Sequence, residues 1–134
     1  MLTISSKSDY GLLLLTLLAK KESHEFISLS EIARDSGLPY HFVSKIAVQL
    51  ANGKFLESKE GVNGGYKLAK KPGQISIAQV TQILDGPWQP TKCTGDKNNC
   101  PLEKKCPMAD NWQNRLKEKM WKIMDSYAVE DLMR

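Results

Sequence analysis

Apolar residues recur at helical spacing along most of this 134-residue chain. Leu12–Leu15, with Leu17, Leu18 and Ala19, read as a helix over Tyr10 to Ala19 that is buried on most of its surface. Ser6 and Asp9 have capping-box spacing at its start, and Lys20–Lys21 suit its end. Ser28 and Glu31 repeat the box before a short helix through Ile32 and Ala33 that stops near Gly37. After the turn Asp35–Leu38, Pro39 fits the first turn of a third helix. There Phe42, Val43, Ile46, Ala47 and Leu50 are expected on one face, with His41, Ser44, Lys45 and Gln49 on the other.

The period then changes. Phe55–Lys59 and Gly65–Ala69 read as two strands around the turn Glu60–Gly64, where the glycines and the Asn63–Gly64 pair are expected to supply positive-φ positions. Pro72–Gly73 breaks the chain, and Ser76 with Gln79 opens a fourth helix carrying Ile77, Val80, Ile83 and Leu84 and ending at Gly86–Pro87. From Met108 onward Trp112, Leu116, Met120, Ile123 and Tyr127 return at steps of three and four, which predicts a long amphipathic helix. Val129 and Leu132 belong to a final turn or a second short piece.

The order helix, helix, tight turn, helix, hairpin is that of a winged helix-turn-helix. The expected fold is therefore mainly α with a small β-hairpin wing and a long C-terminal dimerisation helix. Its expected parts are a DNA-binding domain over 1–87, a cysteine-bearing loop over 88–107 and a dimerisation helix over 108–134. In that architecture the third helix enters the major groove of double-stranded DNA and the wing meets an adjacent groove or the backbone. His41, Ser44, Lys45 and Gln49 can donate to base edges or phosphates, while Lys59 and Lys67 flank a glycine-rich turn whose backbone can approach a phosphate. Ser30, Pro39, Tyr40, Asn63 and Gly64 complete the expected interface. The competing reading of each element alone is ordinary solvated surface.

Charge refines this. The net charge is +4, with +3 over residues 1–80, −1 over 81–90 and +2 over 91–134. So even a balance favours sequence-specific binding with modest phosphate contact, and a dimer would double the contacts. The longest apolar run is about ten residues short of a membrane span. Asp9 and Lys20–Lys21 also disfavour a signal peptide. The expectation is a cytoplasmic protein with no membrane partner, which the odd number of cysteines suits.

Cys93, Cys100 and Cys106 place three soft ligands within fourteen residues, ahead of the expected helix start. Zinc usually brings closer Cys or Cys/His pairs, and His24 and His41 are remote in sequence. The wider spacing suits an iron–sulfur cluster, [2Fe-2S] or [4Fe-4S], with free cysteines or a redox-responsive thiol pair as alternatives. A small electron carrier would need no wing and would usually carry a fourth cysteine.

Four stretches together resemble the IscR/NsrR (Rrf-type) family of cluster-binding transcriptional regulators. They are Leu2–Ser5 with Asp9–Gly11, Ser28–Ala33, the wing Lys59–Ala69, and the cysteine loop. Asp85–Gly86–Pro87, the six-then-five cysteine spacing and Asn111–Gln113 are similar to the subgroup that regulates SUF-type iron–sulfur assembly genes. The resemblance implies a homodimer on a palindromic operator, with Trp112, Leu116, Met120 and Ile123 in the seam and Tyr127 extending it. It also implies cluster ligation by Cys93, Cys100 and Cys106. IscR-type members place a histidine shortly after the third cysteine, whereas this chain has Pro107–Asp110. NsrR-like members use an N-terminal aspartate of the partner chain, and Asp9 stands at the matching place, with Asp110 a local alternative. The implied function is a DNA-binding regulator controlled by its cluster. The alternatives are a nitric-oxide or redox-sensing repressor and an apo regulator gated by a protein partner.

Overall fold

The computed structural model describes residues 3–21, 24–91, 102, 105–108 and 111–134. Its elements are α1 (Ser6–Lys20), α2 (Leu29–Ser36), α3 (Tyr40–Asn52), β1 (Leu56–Lys59), β2 (Gly65–Leu68), a 3-10 turn (Pro72–Gln74), α4 (Ile77–Asp85), α5 (Trp112–Asp125) and α6 (Val129–Leu132). The mainly helical winged architecture is thus as expected.

α1 is central because it is apolar on several sides, with Leu14 and Leu15 fully buried and Leu12 and Leu18 nearly so. It packs against α2, α3, α4 and α6. Its cap differs from the expected Ser6–Asp9 box: the N-cap is Ser5, whose Oγ accepts the Ser8 amide at 3.1 Å. The same Ser5 hydroxyl faces both carboxylate oxygens of Asp85 at 2.7 and 2.6 Å. The buried Ser8 hydroxyl donates to Asp85 Oδ2 at 2.5 Å, and Lys7 Nζ donates to the Leu84 carbonyl at 2.7 Å. This clasp ties the start of α1 to the end of α4.

α2 begins as expected, with Ser28 Oγ accepting the Glu31 amide at 3.2 Å, and it ends on Gly37 in the left-handed region at φ 71°. Across that helix pair, Lys21 bridges Glu31 at 2.7 Å and Asp35 at 2.6 Å. α3 follows Pro39, whose carbonyl accepts the Phe42 and Val43 amides. Val43, Ile46, Ala47 and Leu50 are buried, but Phe42 is 46% exposed, against the expectation that it joins the core. At 100° per residue it lies about 90° from the centre of that stripe. Its ring meets His41 and Tyr10 at centroid distances of 4.9 and 6.4 Å.

The wing pairs Leu56 with Leu68, Glu57 with Lys67, Ser58 with Tyr66 and Lys59 with Gly65, antiparallel. Ile27 adds an isolated antiparallel bridge to β2 through reciprocal bonds to Tyr66 at 2.9 and 2.8 Å. The positive φ angles in the turn belong to Gly61 and Gly65, not to the Asn63–Gly64 pair as expected. Gly64 answers a different need, since a Cβ there would lie 2.2 Å from the Lys59 carbonyl oxygen.

α4 has the full reciprocal Ser76–Gln79 box. The C-terminal helix is shorter than the expected run from Met108 to Tyr127: Asn111 is left-handed at φ 68°, α5 starts at Trp112, and it ends at Asp125. Tyr127 lies beyond it because its carbonyl is taken by the Ile77 amide at 2.8 Å, and the Val129 amide then donates to Ile75 at 2.9 Å. Ser76 Oγ donates to Asp125 at 2.6 Å. Val129, fully buried, enters the main core beside α1.

Candidate nucleic-acid interface and cysteine segment

The outward row of α3 is His41, Lys45 and Val48, all exposed at steps of four and three and opposite the buried stripe. Ser44 and Gln49 flank it, half-buried. Gln49 Oε1 is itself buried and, among the described residues, has no hydrogen-bond partner. Val48 was not in the expected set, because an apolar residue on a polar face is invisible to a rule that sends apolar residues inward. An aliphatic side chain there suits contact with a thymine methyl. Pro39 and Tyr40 are exposed at the open end of α3, which has no side-chain cap.

The wing approaches α2. A cleft of about 580 Å³ is lined by Phe26, Ser28, Glu31, Lys59, Asn63 and Gly64 among others, which gathers the wing-tip residues at the start of α2, where Ser30 is exposed. Lys67 and Lys59 lie over the Phe26 ring at 4.8 and 5.8 Å from its centroid, and Lys67 Nζ is 3.5 Å from Glu57 Oε2. Phe26 carries no local signal as an interface residue. It reaches this face because Ile27, its neighbour, pairs inward with Tyr66.

Of the expected ligands, Cys93 and Cys100 lie outside the described residues, as does Asp110. Cys106 is exposed six residues ahead of α5, and Asp9 is exposed in the first turn of α1. Among the described residues no three His, Cys, Asp or Glu side chains are grouped to hold a metal ion. The expected seam is unevenly placed. Trp112 and Met120 are half-buried, Leu116 and Tyr127 are exposed, and Ile123 is 57% exposed. Met120 and Met124 line a groove with Ile4, Ser5 and Asp85 to Gln89. α5 packs on α4, yet no residue of α5 is buried.

A trihelical unit with an exposed third helix and a paired wing defines the class as a winged-helix DNA-binding protein. Residues 4–134 match the family model Rrf2, described as an iron-dependent transcriptional regulator, and the chain belongs to that family. It is 30% identical over 129 residues to the transcriptional regulator CymR of Bacillus subtilis, covering 96% of this chain and 88% of that protein. It is 27% identical over 131 residues to the regulator NsrR of Bacillus licheniformis, covering 97% and 91%. The solved structure of B. subtilis CymR, titled the global cysteine regulator, superposes with a TM-score of 0.73 at 31% identity over 98% of this chain and 96% of that one. The IscR of T. potens shares the fold, with a TM-score of 0.71 at 22% identity over 98% and 85%. The chain is thus a DNA-binding transcriptional regulator and not an enzyme. Among the described residues no helix is long and apolar enough to cross a membrane.

Proposed function

We propose that this regulator acts as a cytoplasmic homodimer on a palindromic operator, and that an iron–sulfur cluster held by Cys93, Cys100, Cys106 and the partner's Asp9 sets its DNA affinity. The observation that carries this is the donor set: three thiols within fourteen residues, between α4 and α5, in a family described as iron-dependent. Soft thiolates fit such a cluster, and the exposed Cys106 is accessible to it. When bound, the cluster supplies a centre whose assembly, loss or damage is the signal. The residues of the chain do the rest. The cysteine segment joins α4, whose end carries the Asp85 clasp, to α5, so its ligation state bears on how α4, α5 and the start of α1 sit together.

Dimerisation is supported by α5, which has no buried residue yet exposes Leu116, Trp121 and Ile123. The targets we infer are SUF-type assembly genes, from Asp85–Gly86–Pro87, the cysteine spacing and Asn111–Gln113. The test is anaerobic purification with visible spectra and with iron and sulfide measured per chain. Wild type should be coloured, and each single cysteine-to-alanine variant should lose the chromophore while keeping its helical circular dichroism. A colourless, iron-free wild type would reject the proposal. A second reading, a thiol- or cysteine-responsive repressor without a cluster, is favoured by the similarity to CymR, and in that case oxidation of the thiols alone would change DNA binding.

A further inference from the structure

Glu57, Lys59, Gly65 and Lys67 share the outer face of the wing, because they occupy alternate positions of β1 and β2 in the observed register. Three of them are charged, and one of those has the sign that DNA repels. Glu57 and Lys67 are directly opposed across the strands, with Lys67 Nζ 3.5 Å from Glu57 Oε2. The lysine side chain is 29% exposed and the glutamate 54%. The ring of Phe26 lies beneath both lysines, so Lys67 is held from one side by a carboxylate and from the other by an aromatic face.

A carboxylate at this place is a stand-in for a phosphate: an anionic, two-oxygen acceptor already within ion-pair distance of the cation that the backbone would recruit. We propose that Glu57 restrains the wing by competing with DNA phosphate for Lys67, so that backbone contact by the wing requires Lys67 to leave Glu57. This rests on the reading that the wing lies on the DNA backbone. The restraint acts on phosphate contact and therefore lowers affinity for every sequence alike, leaving base readout by α3 untouched. It keeps sequence-independent binding weak on a chain that is only mildly basic.

The probe is a fluorescently labelled random-sequence duplex of about 30 base pairs, titrated with the full chain across a series of salt concentrations. Glu57→Gln should bind about fivefold tighter per wing, the most that an exposed ion pair can withhold. Its plot of log affinity against log salt should steepen by up to about 0.9 per wing. Its melting curve should match wild type, since the position is exposed. Simple repulsion between Glu57 and DNA would also raise affinity, so the same change is made on a Lys67→Gln background, where the gain should vanish. A gain that persists there overturns the proposal, as does a Glu57→Gln protein that binds like wild type. Lys59→Gln separates the layers. If it flattens the salt plot while Glu57→Gln is silent, the wing is on the backbone and only the restraint is wrong. If Lys59→Gln and Lys67→Gln both leave the plot unchanged, the wing reading falls and the restraint falls with it.

Discussion

The winged-helix unit and α5 are built on opposite terms. In the first, every helix inserts at least one side chain into a common core, from Leu14 and Leu15 of α1 through Ile32, Val43, Ile46 and Leu50 to Val80 and Leu84 of α4. In the second, fourteen residues form a helix that packs on α4 without burying any of them. Isolated helices of that length are marginal in water, so most of the order of α5 must come from packing. On the proposed dimer, the contrast separates what this chain stabilises alone from what it offers to a second copy.

Substitutions at four positions would sharpen or break that contrast. The largest effect is expected at Leu14→Ala in the fully buried centre of α1, which should lower unfolding free energy by about 3–5 kcal/mol in denaturant titrations. A cost below about 1 kcal/mol would mean that the core is not where the stability resides. Next, Ile123→Ser on α5 should leave the fold intact but weaken self-association by about 2 kcal/mol, some thirtyfold in the dimer dissociation constant by analytical ultracentrifugation. Unchanged sedimentation at low micromolar concentration would assign the exposed face of α5 to something other than a second copy.

Within the first region, on the groove that Met120 and Met124 of α5 also line, lies the clasp. Asp85→Ala removes the acceptor of the Ser5 hydroxyl and of the buried Ser8 hydroxyl, and it should cost about 1–2 kcal/mol in thermal unfolding. Asp85→Asn should recover part of that loss, and equal losses in both variants would show that shape rather than hydrogen bonding holds the joint. The smallest effect belongs to the Lys21 bridge. The Lys21 hydrogen bond pulls the Asp35 carboxyl below its ordinary value, against a burial penalty, and Asp35 in turn raises the Lys21 ammonium. The folded carboxyl therefore binds its proton less readily than the unfolded one. The stability it contributes is present above the unfolded value and fades as pH falls through the folded one. Asp35→Asn should shift melting slightly at neutral pH and not at all at strongly acidic pH, which a pH series of melting curves would read.

The features legible in the sequence were those settled within a few residues. The caps of α2 and α4 join side chains and amides three apart, and the wing declares itself through strand spacing and its glycines. What escaped was settled by distant partners. Nothing near Ser5 announces that its hydroxyl will meet Asp85, eighty positions away, and that partnership accompanies the choice of Ser5 rather than Ser6 as the N-cap of α1. Nothing near Tyr127 shows that its carbonyl will be claimed by Ile77, which ends the C-terminal helix early. On α3 the error was angular. Phe42 is expected inside by residue type, whereas its angle to the buried stripe leaves it exposed, as it does Val48. The expected interface residues rest on element order and spacing alone. The expected ligand set has no geometry to compare, since Cys93 and Cys100 lie outside the described residues.

The return of the chain after α5 has a practical consequence for dissecting the molecule. Ala128 pairs with Ser76, Val129 donates to Ile75, and Val129 shares the core with Ile75 and Val80. A fragment cut at the end of α4 would contain every residue of the expected DNA-binding surface and still lack part of its own interior. Truncation from the C-terminal side therefore removes the floor beneath α1 and α4 before it removes any residue of the expected interface. Trimmed variants that lose operator binding would report a damaged scaffold, and point substitutions on α3 and the wing are the sounder way to map the interface.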